Sequence, residues 1–221
     1  MHIERPVSHT KENYLKAIYF LSQKNDKVGI SDLANRMKVS KPTANDMVKK
    51  LKAKGWLKYE KYKPIYFTKQ GEKEAALILR KHRLTEMFLS KVMGFGWEEV
   101  HDIAEEIEHI QSEKYFDRMD EILGFPTVDP HGSPIPDKKG KLNRKFYSTL
   151  SQISTGNKVR LCALDNSSTE FLEFLNKKGI KLGTELSVLE IEPFDQSMRI
   201  ASNGSSNLVL SKEICDNLLV E

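Results

Sequence analysis

Ser31-Asp32-Leu33-Ala34-Asn35-Arg36-Met37-Lys38-Val39-Ser40-Lys41-Pro42-Thr43 sets one short helix against the start of another. Asp32 to Met37 carries Leu33, Ala34 and Met37 at helical spacing, with Ser31 before it as cap. Val39 and Ser40 make a tight turn. Ser40 then stands as N-cap of a further helix whose second residue is Pro42, where a missing N–H is harmless. That helix runs through Val48 and Leu51 to about Lys54, and Gly55 is its stop. Upstream, Lys11 to Gln23 reads as a helix with Tyr14, Leu15, Ile18, Tyr19 and Leu21 mostly on one side. Helix, short turn and capped helix form the helix-turn-helix pattern.

Trp56-Leu57-Lys58-Tyr59-Glu60 and Ile65-Tyr66-Phe67-Thr68 are β-prone runs joined by Lys61-Tyr62-Lys63-Pro64, a basic-tipped wing. In such an arrangement the third helix enters the major groove, which makes Ser40, Lys41, Pro42, Thr43 and Asn45 candidates for base edges. Lys49, Lys61 and Lys63 are candidates for phosphate. Each has a plainer reading as cap, helix starter or solubilising charge. The charge distribution favours the set as a whole: residues 1–71 hold 16 Lys or Arg against 6 Asp or Glu, although the whole chain of 221 residues carries only +4. Residues 72–140 hold 9 against 15, so a basic segment suited to a polyanion precedes an acidic one suited to cations.

The acidic segment contains His101-Asp102-Ile103-Ala104-Glu105-Glu106-Ile107-Glu108-His109. On a helix, His101, Glu105, Glu108 and His109 would share one side, with Val100, Ile103, Ala104, Ile107 and Ile110 opposite. A solvated charged face has the same pattern. Four of the six histidines (His82, His101, His109 and His131) fall in one 50-residue stretch that also holds His82-x-x-x-Glu86, and this tips the reading toward divalent metal. Gly71 to Leu89 and Trp97 to Met119 read as long helices broken by Gly94-Phe95-Gly96. Leu77, Leu84, Phe88, Leu89, Val92 and Phe116 are left over from one core and suggest a dimerisation surface.

Residues 125–147 are rich in Pro, Gly and Lys and mark a boundary. Beyond it, 158–163, 185–191, 198–201 and 208–210 read as strands and 169–177 as a helix, together a small β-barrel. The expected fold is α+β and mainly α. It comprises a winged helix-turn-helix over 1–71, a helical metal-binding and dimerisation domain over 72–140, and an SH3-like domain over 148–221. No long apolar run or basic leader indicates a membrane span or signal peptide, and two cysteines, Cys162 and Cys215, make no disulfide framework. A cytoplasmic protein is expected. No P-loop, nucleophile elbow or GxGxxG is present, and an enzyme is not expected.

With these stretches assembled, the chain resembles the diphtheria toxin repressor family of metal-dependent transcriptional regulators, in the long form with a C-terminal SH3-like domain. The likeness covers nearly the whole length. It rests on Glu12-Asn13-Tyr14-Leu15-Lys16-Ala17-Ile18-Tyr19, on Arg80-Lys81-His82-Arg83-Leu84-Thr85-Glu86 and on Val100 to His109. It implies a homodimer that binds a palindromic double-stranded operator when loaded with divalent metal, repressing metal-uptake genes. The implied principal site falls on Asn13, Glu105, Glu108 and His109, with His82 shared or nearby; the ancillary site draws on His82, Glu86 and His101. Long manganese-type members add the interdomain loop and last domain, here Asp129, His131 and Asp165.

Iron-type members carry Cys where this chain has Glu105, and oxygen-rich ligands suit Mn(II) without excluding Fe(II). Manganese-type members usually carry Asp where Asn13 stands, and short ones can offer a carboxylate at the place of Lys16; a neutral amide coordinates more weakly. Two other classes fit parts of the pattern. Glu98-x-x-His101 and Glu106-x-x-His109 match a carboxylate-bridged metalloenzyme element, but both lie on one expected helix. A winged-helix regulator sensing an organic ligand would leave the histidines as packing.

Overall fold

In the computed structural model, residues 9–24, 27–143, 145–202 and 205–221 are described, and they form two compact units. The segment expected as one middle domain contributes to both. The first unit holds the chain up to Thr85 with Ala104–Gly124 and Ile135–Asn143; the second holds Glu86–Ile103, Phe125–Pro134 and Arg144–Glu221.

In the first unit, helices α1 (His9–Lys24), α2 (Ile30–Arg36) and α3 (Lys41–Ala53) precede strands β1 (Leu57–Lys58) and β2 (Tyr66–Phe67). Ser40 caps α3 by accepting from Thr43 N–H, and Pro42 sits in its first turn, as the sequence pattern requires. Ser31 is not the cap of α2. The helix begins at Ile30, two residues before the expected start, with Gly29 in the cap position, its N–H donating to the Asp32 carboxylate. The turn between α2 and α3 passes through Lys38 at φ 53°, a left-handed conformation filled without glycine. The wing pairs Leu57 with Phe67 and Lys58 with Tyr66, and Val28 adds an antiparallel bridge to Ile65. Tyr14, Leu15 and Ile18 of α1, Leu33 of α2, Val48 and Leu51 of α3, Trp56 and Ile65 around the wing, and Leu79 of helix α4 (Lys69–Lys91) share one buried core. Burial of this shared apolar surface therefore fixes α3 relative to α1.

The long helix expected over 97–119 is two, α5 (Val100–Ile107) and α6 (Glu113–Ile122). Ser112 caps α6 by accepting from Tyr115 N–H, a start signal just downstream of His109 that begins a second helix. Glu108 and His109 consequently lie in the turn after α5, and Ile110 is exposed rather than core-facing. The expected dimerisation surface is also revised. Leu84, Leu89 and Phe116 are buried within the chain and Leu77 and Phe88 half-buried, while Val92 is exposed beside Met93.

The second unit is built on an antiparallel six-stranded sheet, ordered β3 (Ser148–Thr149), β8 (Leu218–Val220), β4 (Lys158–Leu164), β5 (Glu185–Ile191), β6 (Met198–Ser202) and β7 (Ser205–Leu210). Register shifts in the β4–β8, β5–β6 and β6–β7 pairs bend it. Among the described residues no β3–β7 pairing closes the sheet into the expected barrel. Helices α7 (Thr169–Lys177) and α8 (Lys212–Asp216) complete the unit, and Leu161, Leu172, Leu175, Leu186, Ile200 and Leu210 fill its core.

Candidate metal centres

In the first unit, His82 on α4, Glu105 on α5 and Glu108 in the following turn each place one donor atom within 4.8 Å of the others. His82 Nδ1 lies 2.6 Å from Glu108 Oε2. A carboxylate only accepts, so the imidazole donates through Nδ1. Lys16 of α1 enters the same cluster, its ammonium donating to Glu105 Oε1 at 2.5 Å and to Glu108 Oε1 and Oε2 at 2.7 and 2.8 Å. The Lys16 side chain is 8% exposed and that of Glu108 fully buried. Burial pushes the Glu108 carboxyl up, but the His82 hydrogen bond, the Lys16 charge and the further His82 and Lys16 terms of attraction hold it net below the ordinary carboxylate value.

His109 approaches from the side, its Nε2 3.9 Å from Glu108 Oε1. Asn13 lies three residues before Lys16 on α1 and hence on the same helical face. Its Oδ1 is a buried acceptor without a hydrogen-bond partner, an arrangement that costs free energy unless something electropositive meets it. Oxygen and imidazole donors with one unsatisfied oxygen fit a hard or borderline divalent ion.

The second unit holds a second cluster, Glu86, Asp129 and His131, all buried, again with donor atoms within 4.8 Å of one another. Asp129 Oδ1 accepts from the backbone N–H of His131 at 2.8 Å and of Ser133 at 2.9 Å, which closes the loop around His131. His131 Nε2 is 2.9 Å from the Trp97 carbonyl oxygen, so it carries the proton and leaves the Nδ1 lone pair toward Glu86 and Asp129, at 4.0 and 3.9 Å. Gly132, at φ 84°, lets this loop lie on β4; a Cβ there would stand 2.3 Å from the Cys162 carbonyl oxygen. His101 Nδ1 is 3.3 Å from Glu86 Oε1, and the His101 side chain is about half exposed. Asp165 is exposed and belongs to no cluster of three or more donors among the described residues.

The DNA candidates lie on α3 and the wing. Ser40, Lys41, Pro42, Thr43, Lys49, Lys61 and Lys63 are exposed, while Asn45 is half-buried. Asn45 Oδ1 accepts from Tyr59 Oη at 2.7 Å, linking the recognition helix to the wing. Lys49 pairs loosely with Asp46, Lys63 pairs with Glu60, and Lys61 lies over the ring of Tyr62, itself 90% exposed at φ 67°. Sequence reasoning missed Glu12, Gln111 and Trp97, which hold His109 and His131 in place, and it missed that Lys16 supplies a cation. Their partners are 34 to 99 residues away, and nothing in local spacing signals them.

Residues 7–65 match the N-terminal DNA binding domain of iron dependent repressors, 68–137 their metal binding and dimerisation domain, and 148–221 the FeoA domain. Among solved structures, a manganese-dependent transcriptional repressor in complex with manganese has a TM-score of 0.84 at 30% identity, covering 95% of this chain and 98% of that one. ScaR with bound Zn2+ has a TM-score of 0.77 at 32% identity, covering 96% and 98%. The iron-dependent repressor IdeR of Mycobacterium leprae is 36% identical over 127 residues, 58% of this chain and 55% of that protein. The aligned part thus spans about half the length of that relative. A winged helix-turn-helix followed by a metal-binding and dimerisation domain and a FeoA domain defines the class of iron-dependent-repressor-like regulators. The chain belongs to the diphtheria toxin repressor family. These relatives are repressors, and among the described residues no helix is long and apolar enough to cross a membrane.

Proposed function

We propose that this protein is a cytoplasmic, metal-dependent transcriptional repressor that binds operator DNA as a homodimer when loaded with Mn(II) or Fe(II), and so controls metal-ion uptake. The observation that carries the reading is the gathering of His82, Glu105 and Glu108 at the face of α1 that bears the unpartnered Asn13 oxygen. Asn13, Glu105, Glu108 and His109 would hold the principal ion, with His82 against Glu108. Glu86, Asp129 and His131 would hold a second, with His101 beside Glu86. His82 stands one helical turn before Glu86 on α4, which keeps its assignment to either ion open to mutation.

Asn13 on α1 and Glu105, Glu108 and His109 at the end of α5 would share the ion, which would tie the two segments together; α1 shares its core with α3, so α3 would be fixed with them. This is a population shift toward the helix spacing that fits successive major-groove turns of a two-fold operator. Ser40, Lys41, Pro42, Thr43 and Asn45 would then meet base edges, and Lys49, Lys61 and Lys63 phosphate. The functional division proposed is 1–71 for DNA, 72–140 for metal and dimerisation, and 148–221 as the terminal domain. The dominance of oxygen donors favours manganese.

The test is fluorescence anisotropy on a duplex selected from a random pool in Mn(II), titrated separately with Mn(II), anaerobic Fe(II) and Zn(II). Binding that rises with Mn(II) and falls on chelation is expected. Binding indifferent to chelation would instead favour an organic-ligand sensor.

A further inference from the structure

His109 is held from three sides. Its Nδ1 lies 2.5 Å from Glu12 Oε2, the other oxygen of Glu12 accepts from Gln111 Nε2 at 2.8 Å, and Gln111 Nε2 also reaches the His109 carbonyl oxygen at 3.1 Å. The ring of His9 stacks on that of His109 at 4.3 Å between centroids and 11° between planes. Glu12 is 4% exposed and His109 8%, so these contacts are made away from bulk water, where hydrogen bonds are strongest. Glu12 belongs to α1, one residue before Asn13, whereas His109 and Gln111 follow α5.

A carboxylate accepts and cannot donate, so Nδ1 of His109 carries a proton, and in the neutral imidazole Nε2 keeps its lone pair. That lone pair is on the Glu108 side of the ring. We infer that Glu12, held by Gln111, is a positioning residue that fixes the tautomer and orientation of His109 for metal binding. The carboxylate–imidazole–metal relay is a general device by which an outer partner sets a ligand, and its loss typically costs about 10- to 100-fold in metal affinity. In this chain it has added weight, because the neighbouring Asn13 offers only a neutral oxygen and His109 must arrive correctly placed. It also means that α1 is tied to the segment after α5 by Glu12 as well as by Lys16.

The inference rests on the metal reading above, and its test keeps the two apart. In metal-free, full-length protein, nitrogen NMR of the imidazoles should show His109 protonated at Nδ1; Glu12→Ala should give a mixture of tautomers. Glu12→Gln keeps the size but cannot accept at both oxygens, so either His109 or Gln111 loses its partner, and a smaller change in the same direction is expected. Calorimetric titration with MnCl2 should show about 10- to 100-fold weaker binding for Glu12→Ala. An unchanged tautomer, or unchanged Mn(II) affinity, in both variants would overturn the role of Glu12. Wild-type protein that takes up no Mn(II) would overturn the metal reading itself, and the positioning role with it. Thermal melts establish that each variant is folded, and Gln111→Ala, at the exposed end of the relay, supplies a third variant with the same expected sign.

Discussion

In the first unit Glu105 and Glu108 close on the ammonium of Lys16, whereas in the second Asp129 is fixed by two backbone N–H groups and His131 by a backbone carbonyl. Both clusters are built from carboxylate and imidazole. The first sets one ammonium against two carboxylates, and Lys16 must give way or share if an ion is to use both glutamates. The second is shaped by a turn that leaves its donors facing one another. On the proposed function, an ion in the first cluster would change which groups α1 is bonded to, which suits switching, and the second would simply retain one. Four experiments can break or sharpen that contrast.

The largest effect is expected from Glu108→Ala combined with His109→Ala. Metal-stimulated operator binding should disappear, a loss on the scale of about 5- to 150-fold for a coupled pair of sites, while the protein stays folded and dimeric. Undiminished stimulation by Mn(II) would remove these residues from the mechanism. Lys16→Met comes next. It leaves Glu105 and the fully buried Glu108 without their cation, and breaking such a buried pair costs on the order of 3 kcal/mol. Metal-free protein should melt lower, and excess Mn(II) should restore much of the difference by mass action. Equal melting in chelator would show that the ammonium is not what holds the two glutamates.

For the second cluster, His131→Ala should lower the metal content by one ion per chain while Mn(II)-dependent operator binding survives. Loss of DNA binding as large as that of the first variant would erase the distinction between switch and retention. The smallest effect concerns the thiols. Cys215 is buried and its thiol is pushed up to about 12, chiefly by desolvation, and burial also raises that of Cys162. At pH 8 the Cys215 thiolate is then a fraction of about one in ten thousand, so native protein should resist iodoacetamide at that position. The sign for stability follows: above the ordinary thiol value the unfolded chain loses its proton first, so this group destabilises the fold as pH rises toward 12. Labelling of Cys215 that impairs Mn(II) uptake would bring sulfur into one of the clusters.

Much of this architecture is legible in the chain itself. Ser40 before Lys41-Pro42-Thr43 is a local instruction, and it produces the capped helix it encodes. The wing follows from β-prone runs around a Lys-Pro tip for the same reason. The stretch from His101 to His109 is half legible. Its residue types suggest metal ligands, but its continuous helical pattern conceals the break between α5 and α6, which starts at the Ser112 cap, because periodicity is blind to a cap inside a polar stretch. The loop at Asp129-Pro130-His131-Gly132 drew notice for its composition. Its placement depends on β4 passing within reach of Gly132, which no local pattern records.

The sequence alone therefore determined most of the elements and the chemical types of the clustered donors, which are set by interactions over a few residues. Tertiary structure alone decided which donors meet. Glu12 finds His109 across 97 positions and Lys16 finds Glu108 across 92, because burying the apolar face of α1 in the shared core turns its polar face toward the end of α5. Packing is not periodic in sequence, so the tautomer of His109 and the pairing of Lys16 with Glu105 and Glu108 emerge only when the core has formed.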